Sequence, residues 1–302
     1  MSLAPSLGLA QTMAVRLGTS TAGGGFAPYA TALVDSLRSV DPILDIRPIQ
    51  TKGAADNAEK LQDGDLDIGL VSGEVMYEWI AKHPDQPKLK VISVIYSTPG
   101  MFAVRPDSRY HRIADLLGRT IVWSPRGTGS ALQAHYVMDG LGLDMDRDFD
   151  AIYPESSADG PPLVIEQQAA ALWGSGYRWP GFVEITNQPA GARFVVPTAD
   201  EIAKIHAKHA FLVKLTVPGG MYPGQYESLA TIGAWSFILA RPDLDDVVGY
   251  RIARSLYRAE RAAVPSKHTV QTTARNTLAA IPSLDALQLG VLRFYREAKL
   301  VQ

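Results

Sequence analysis

Hydrophobic and polar positions fall into short runs along this chain, each closed by a polar or glycine-rich turn and followed by residues at helical spacing. Residues 13–17 alternate and predict a strand. Residues 19–25 are polar and glycine-rich, and Ala30, Leu33, Val34 and Leu37 then recur as one helix face. The pattern repeats. Residues 44–49 predict a second strand, 50–53 a turn, and Asn57 and Leu61 a short helix. Residues 66–71 predict a third strand that ends at Ser72-Gly73-Glu74, with a helix from 75 to about 82. Apolar runs at 91–94 and 101–104 flank Ser97-Thr98-Pro99-Gly100. A strand at 119–124 runs into Pro125-Arg126-Gly127-Thr128-Gly129-Ser130, and Ala131, Ala134, Val137 and Met138 then mark a helix that Gly140 is placed to end.

The second half is less regular. Residues 159–162 read as a loop, and 164–172 as a helix running into a strand. An aromatic and small-residue segment follows at 173–179. Residues 192–196 and 231–239 predict strands; 200–209, 244–262 and 287–299 predict helices. Strand, short turn and helix in repeated order argue for α/β architecture with mainly parallel sheets. Ligands of such sheets sit beyond the carboxyl ends of the strands, where these turns gather.

The turn at 19–25 suits an anion. Glycines let backbone approach a ligand, and the first amides of the next helix are free to donate. A tight turn with glycines for packing fits the same residues. A Walker A loop is excluded because Phe26-Ala27 stands where Lys-Ser/Thr is needed, and the glycine spacing gives no dinucleotide fingerprint.

Composition narrows the classes. With 302 residues the chain can form two lobes, each with a core. A net charge of −2 gives no global attraction to nucleic acid or anionic membrane. The absence of cysteine removes thiol catalysis, disulfides and cysteine-based zinc sites. No apolar run is long enough to cross a bilayer. Residues 1–12 are small, apolar and uncharged, and read as the remnant of an export signal with an expression scar; a disordered terminus fits them equally.

Enzyme signatures are missing: there is no His-Glu-x-x-His and no Gly-x-Ser-x-Gly. His206 and His209 could share a metal, but beside Lys204 and Lys208 they read as a solvated helix face. Asp63, Asp65 and Asp67 read as turn and cap residues. Trp173, Tyr177 and Trp179 suit either a pocket wall or a core.

Four ordered stretches carry a resemblance: Gly18-Thr19-Ser20-Thr21-Ala22-Gly23-Gly24, Thr51-Lys52-Gly53 with Asn57, Gly127-Thr128-Gly129-Ser130, and Pro218-Gly219-Gly220-Met221-Tyr222-Pro223-Gly224. The run Asp63-Gly64-Asp65-Leu66-Asp67-Ile68-Gly69-Leu70 and the ending Arg293-Phe294-Tyr295-Arg296-Glu297 fit as well. From Ala14 onward the chain resembles the TAXI family of solute receptors, which serve tripartite ATP-independent periplasmic (TRAP) transporters. The resemblance implies a type II periplasmic-binding-protein fold: two α/β lobes joined by crossing hinge strands near 98–104 and 231–239, with the ligand in a cleft. Lobe I would comprise 13–98 and 232–302, and lobe II 99–231.

By matching position, the resemblance implies ligand contacts from Thr19, Thr21, Gly24 and Phe26, from Thr51, Gly53 and Asn57, from Ser72, from Gly127, Thr128, Gly129 and Ser130, and from Tyr222. Trp173 joins them as a candidate wall. Lys52, Arg126 and Arg178 either meet a second carboxylate or stand as solvated cations. The sequence departs from the family at Lys52, Gly73-Glu74, Arg126, Ala170-Ala171 and Gln288-Leu289. The implied function is a periplasmic receptor, not an enzyme, that captures a glutamate-like amino acid or dicarboxylate and delivers it to TRAP membrane subunits. No cofactor, metal, nucleic acid or membrane insertion of its own is expected. A receptor of the same fold serving an ABC importer or sensor kinase is the alternative. An effector domain of a transcription regulator would need a basic helix-turn-helix, and none is visible.

Overall fold

The computed structural model describes residues 12–20, 25–262 and 266–302. The chain divides into two compact units. Unit 1 holds residues up to 71, 79–96 and 236–302; unit 2 holds 72–78 and 97–235. The chain therefore passes between them four times.

Unit 1 opens with β1 (Met13–Gly18), α1 (Phe26–Val40), β2 (Leu44–Ile49), α2 (Ala54–Gln62) and β3 (Ile68–Ser72). β1 lies in the middle, parallel to β2 on one edge and β3 on the other. Among the described residues β2 has no other neighbour, so Pro48 sits on an edge strand, where its missing N–H breaks no ladder. All five residues of β3 are buried, as expected for a central parallel strand covered on both faces.

β3 ends directly in α3 (Gly73–Lys82), without the three-residue gap at 72–74 that the sequence suggests. The next strand, β4 (Lys90–Val104), is continuous through Pro99 and Gly100. The sequence predicts a break there. The strand tolerates proline because the Pro99 carbonyl is the group its neighbour uses, accepting Gly176 N at 3.0 Å.

Unit 2 continues with β5 (Thr120–Val122), α4 (Gly129–Gly140), β6 (Asp150–Ile152), α5 (Gly160–Ile165), β7 (Ala171–Ser175), α6 (Pro180–Thr186), β8 (Arg193–Val195), α7 (Ala199–Lys208) and β9 (Val213–Val217). β10 (Leu229–Ala240) runs from unit 2 into unit 1. α8 (Asp246–Ala259), α9 (Ala274–Ala280) and α10 (Leu289–Glu297) complete unit 1. The supposed loop at 159–162 is the start of α5, where proline suits the first helical turn.

In unit 2, β7 pairs antiparallel with β4 and parallel with β5, and β6 forms the outer edge. Period-2 alternation sorts the core onto two faces. Phe102, Val104, Ile121, Trp123, Ala171 and Trp173 point to one side, under Ala134, Val137 and Met138 of α4 and Ile202 and Ile205 of α7. Met101, Ala103, Val122 and Leu172 point to the other, under Val164 of α5 and Phe182 and Ile185 of α6.

α4 ends at Gly140, as the sequence suggests, and the same glycine serves packing. A Cβ there would stand 2.8 Å from the Cα of Ile205, so this glycine lets α7 lie close. The chain turns away two residues later at Gly142, whose φ of 77° is the left-handed conformation. The same packing corrects the reading of one of the two histidines, since His206 is exposed as expected and His209 is not. His209 is buried and shares a 2.6 Å hydrogen bond with Asp139, while Nδ1 of His206 lies 2.7 Å from the Leu212 carbonyl.

Candidate functional site

Turn residues past the strand ends were the candidates, and each unit holds its own set. In unit 1 they form a network in which the side-chain donors are spent on backbone, while Asn57 Oδ1 is left without a partner. Thr19 donates through both N–H and Oγ1 to the Ile49 carbonyl, each at 3.0 Å. Thr51 Oγ1 donates to the Thr19 carbonyl at 3.0 Å and accepts the Gly53 amide at 3.2 Å. Asn57 Nδ2 donates to the carbonyls of Thr19 and Leu70, both at 2.8 Å. Gly18 has no side chain because Asn57 Oδ1 and a methyl of Leu66 occupy that space.

These side chains satisfy the carbonyls that β1, β2 and β3 leave beyond the ladder. Their hydroxyl and amide protons are spent on backbone. The start of α2 is also occupied: Asp56 accepts the Lys52 amide at 2.9 Å and pairs with Lys60 at 3.4 Å. Gly53 holds φ at 120°, which only glycine adopts freely, and the Lys52 side chain is exposed. Phe26 begins α1, its ring centroid 6.3 Å from that of Tyr96. Thr21 and Gly24 lie outside the described residues, as does most of the supposed signal remnant at 1–12.

Unit 2 is arranged differently. Gly127, with φ at 80°, turns the chain into α4. Thr128 caps it, accepting the Ala131 amide at 3.2 Å and donating to the Pro125 carbonyl at 2.8 Å. The amides of Gly129 and Ser130, first in the helix, have no acceptor within it. Ser130 Oγ accepts from Ser124 at 2.8 Å, which leaves its own proton to give. Ser72, at the end of β3, is buried, and its Oγ makes no hydrogen bond of good geometry. It lies 3.0 Å from where a Cβ of Gly129 would stand.

Beside it lies a residue that sequence reasoning missed. Glu74 is buried to 2% exposure in the first turn of α3. Burial pushes its carboxyl up to about 7; its own amide, the nearby Ser72 hydroxyl and Gln133 pull the other way. Gln133 Nε2 donates to Glu74 Oε1 at 3.0 Å and to the Thr98 carbonyl at 2.8 Å. Thr98 Oγ1 passes the connection to the Ala234 carbonyl at 3.0 Å. The sequence carried two faint signals: a carboxylate directly after a fully apolar strand, and a glutamine next to the apolar stripe of α4.

The remaining candidates are engaged elsewhere. Trp173 is fully buried in the unit 2 core and donates Nε1 to the Ser130 carbonyl at 3.1 Å, supporting α4 from beneath. Tyr222 is buried against Phe182 and Phe194, its hydroxyl donating to the Gly176 carbonyl at 3.2 Å. Arg126 is exposed, lies 3.6 Å over the Tyr153 ring and meets Asp146 at 3.3 Å. Arg178 is exposed with φ at 51°. Among the described residues no group of three or more metal-ligating side chains is present, and no helix is long and apolar enough to cross a membrane.

Solved structures share this architecture. A TctC solute binding protein from Polaromonas is 14% identical with a TM-score of 0.55, over 87% of this chain and 88% of its own. The complex of PhnD1 from Prochlorococcus marinus with methylphosphonate is 13% identical with a TM-score of 0.54, over 95% and 99%. A putative sulfonate ABC transporter protein, the periplasmic sulfonate-binding SsuA from Methylobacillus flagellatus, is 13% identical with a TM-score of 0.53, over 95% and 86%. The fold is thus that of the two-lobe type II periplasmic binding proteins. The model of the NMT1-like family matches residues 17–298, which takes in both units and every strand end described above, and the chain belongs to that family.

Proposed function

We propose that this protein is an extracytoplasmic solute receptor, without catalytic chemistry, that captures a small organic anion and delivers it to a membrane transporter. One observation carries the reading. At the start of α4, two amides without a helical acceptor and the Ser130 hydroxyl proton lie beside Ser72 Oγ, which makes no hydrogen bond of good geometry and whose hydroxyl favours the nearby Glu74 carboxylate. Such a set suits an oxyanion, because several donors share its charge without a full countercharge. The similar structures include a sulfonate-binding protein and a complex with methylphosphonate, both anion ligands, which supports the class.

The resemblance to TAXI receptors narrows the ligand to a glutamate-like amino acid or a dicarboxylate and the partner to TRAP-type membrane subunits. Gly127, Thr128, Gly129, Ser130 and Ser72 are the proposed contacts in unit 2, with Trp173 and Tyr222 holding their supports. Thr19, Phe26, Thr51, Gly53 and Asn57, with Lys52, are proposed for unit 1. There the threonines and Asn57 act chiefly by fixing backbone. Arg126 and Arg178 would have to leave their present positions to reach a second carboxylate. Delivery to an ABC importer is the second reading, favoured by the sulfonate-binding relative.

A thermal-shift panel tests this. Succinate, L-glutamate, 2-oxoglutarate, ethanesulfonate and methylphosphonate are the probes. At a concentration of about 100 Kd, a ligand of the folded state stabilises it by about 2.7 kcal/mol, a clear rise in melting temperature. No rise with any of the five would overturn the anion reading.

A further inference from the structure

Ser72 and Glu74 are brought to the start of α4 by a missing side chain. A Cβ on Gly129 would stand 3.0 Å from Ser72 Oγ and 4.0 Å from Glu74 Oε2. Hydroxyl, carboxyl and the first amides of a 12-residue helix therefore share one small volume. Ser72 Oγ is the unpartnered buried atom in it. Glu74 has an amide partner in Gln133 but no cation.

Among the described residues, no charged group of the surrounding elements acts on Glu74. β4 over 97–104, β7 and β10 over 229–235 carry no titratable side chain. On α3, Tyr77 is stacked on Phe211 and Glu78 accepts the Tyr136 hydroxyl of α4. On α4, His135 packs against the Tyr136 ring, and Asp139 is held by Lys208 and His209. None of these acts on Glu74.

We infer that an anionic group bound at the first turn of α4 and Ser72 is taken up together with one proton, which Glu74 holds. The inference rests on the reading that the ligand is a small organic anion. A ligand carboxylate on the Gly129 and Ser130 amides would stand within a few ångströms of the Glu74 carboxyl. Two like charges that close, away from water, favour neutralising one of them. Once protonated, Glu74 also offers the ligand a donor. Burial has already brought Glu74 close to neutral pH, so the step needs little further shift. The sign is diagnostic. An anion at this place raises the proton affinity of Glu74 and draws a proton in, whereas a ligand ammonium would lower it and expel one.

Isothermal titration calorimetry of the full chain reads this directly. Succinate and L-glutamate are the probes, at about pH 7.5 in buffers of different ionisation enthalpy. The expected result is uptake of a large fraction of one proton, with affinity about tenfold weaker at pH 8 than at pH 6. Glu74→Gln, which imitates the protonated acid, should abolish uptake and give at pH 8 the affinity that the natural protein shows at pH 6. Binding without proton exchange, proton release, or unchanged uptake in Glu74→Gln would each overturn the inference while leaving the anion reading intact. Failure of both probes to bind would instead overturn their assignment as ligands, and this inference with it. The buffer comparison on the natural chain needs no variant to fold.

Discussion

Thr51 and Ser72 are both small, buried hydroxyl side chains just past or at the end of a parallel strand, yet their hydrogen bonds end in different places. Thr51 spends its proton on the Thr19 carbonyl and its lone pair on the Gly53 amide. Ser72 spends neither on a bond of good geometry. The contrast extends to their neighbours. In unit 1, Asn57 ties two strand ends and Asp56 fills the start of α2. In unit 2, α4 begins with free amides and a carboxyl that lacks a cation. Hydroxyl-rich turns that look alike in sequence thus serve two purposes: one closes the ends of a sheet, the other leaves donors over.

The largest effect should come from opening the unit 1 network. Asn57→Ala strips the Thr19 and Leu70 carbonyls of a buried donor, and should cost about 4 kcal/mol in urea unfolding. A loss below about 1 kcal/mol would mean that water replaces the amide.

The next effect is a pH dependence from unit 2. The Glu74 carboxyl is raised from an ordinary 4.5 to about 7 by burial, so between these values the folded state binds more proton than the unfolded state. Its contribution is full below pH 4.5 and is lost as pH rises through about 7. The total is about 3 kcal/mol. Stability measured across this window should fall accordingly, and Glu74→Gln should remove that part of the slope. An unchanged slope in the variant would show that the carboxyl is better solvated than its burial indicates.

The smallest stability effect belongs to Ser72→Ala. With no good hydrogen bond to lose, the change should stay within about 0.5 kcal/mol of the natural protein. Ligand affinity should still weaken about tenfold, since one donor to the anion is gone. A stability loss as large as that of Asn57→Ala would erase the contrast.

Much of the frame was legible from period alone. The strands at 13–17, 44–49 and 66–71 and the α/β order of the elements follow from runs that local spacing records. What escaped depends on partners far along the chain. Gly140 ends α4 as its position predicts, but its second role, making room for Ile205, is invisible in the local sequence. Pro99-Gly100 looked like a break and proved to lie within β4. Glu74 and Gln133 meet across 59 positions, so neither neighbourhood announces the other. The hydroxyls of Thr19, Thr51 and Ser72 look alike for a related reason: sequence shows a donor but not whether its proton is already taken.

The passage of β3 into α3 without a connecting loop has a consequence for length. Each residue of a helix turns the chain by about 100°. One residue inserted or deleted between Ser72 and Glu74 would therefore swing the carboxyl off Gln133 and out of its burial, with no slack nearby to absorb the rotation. Substitutions there can be graded, but changes in spacing cannot, so this junction should keep its length even where its residues vary.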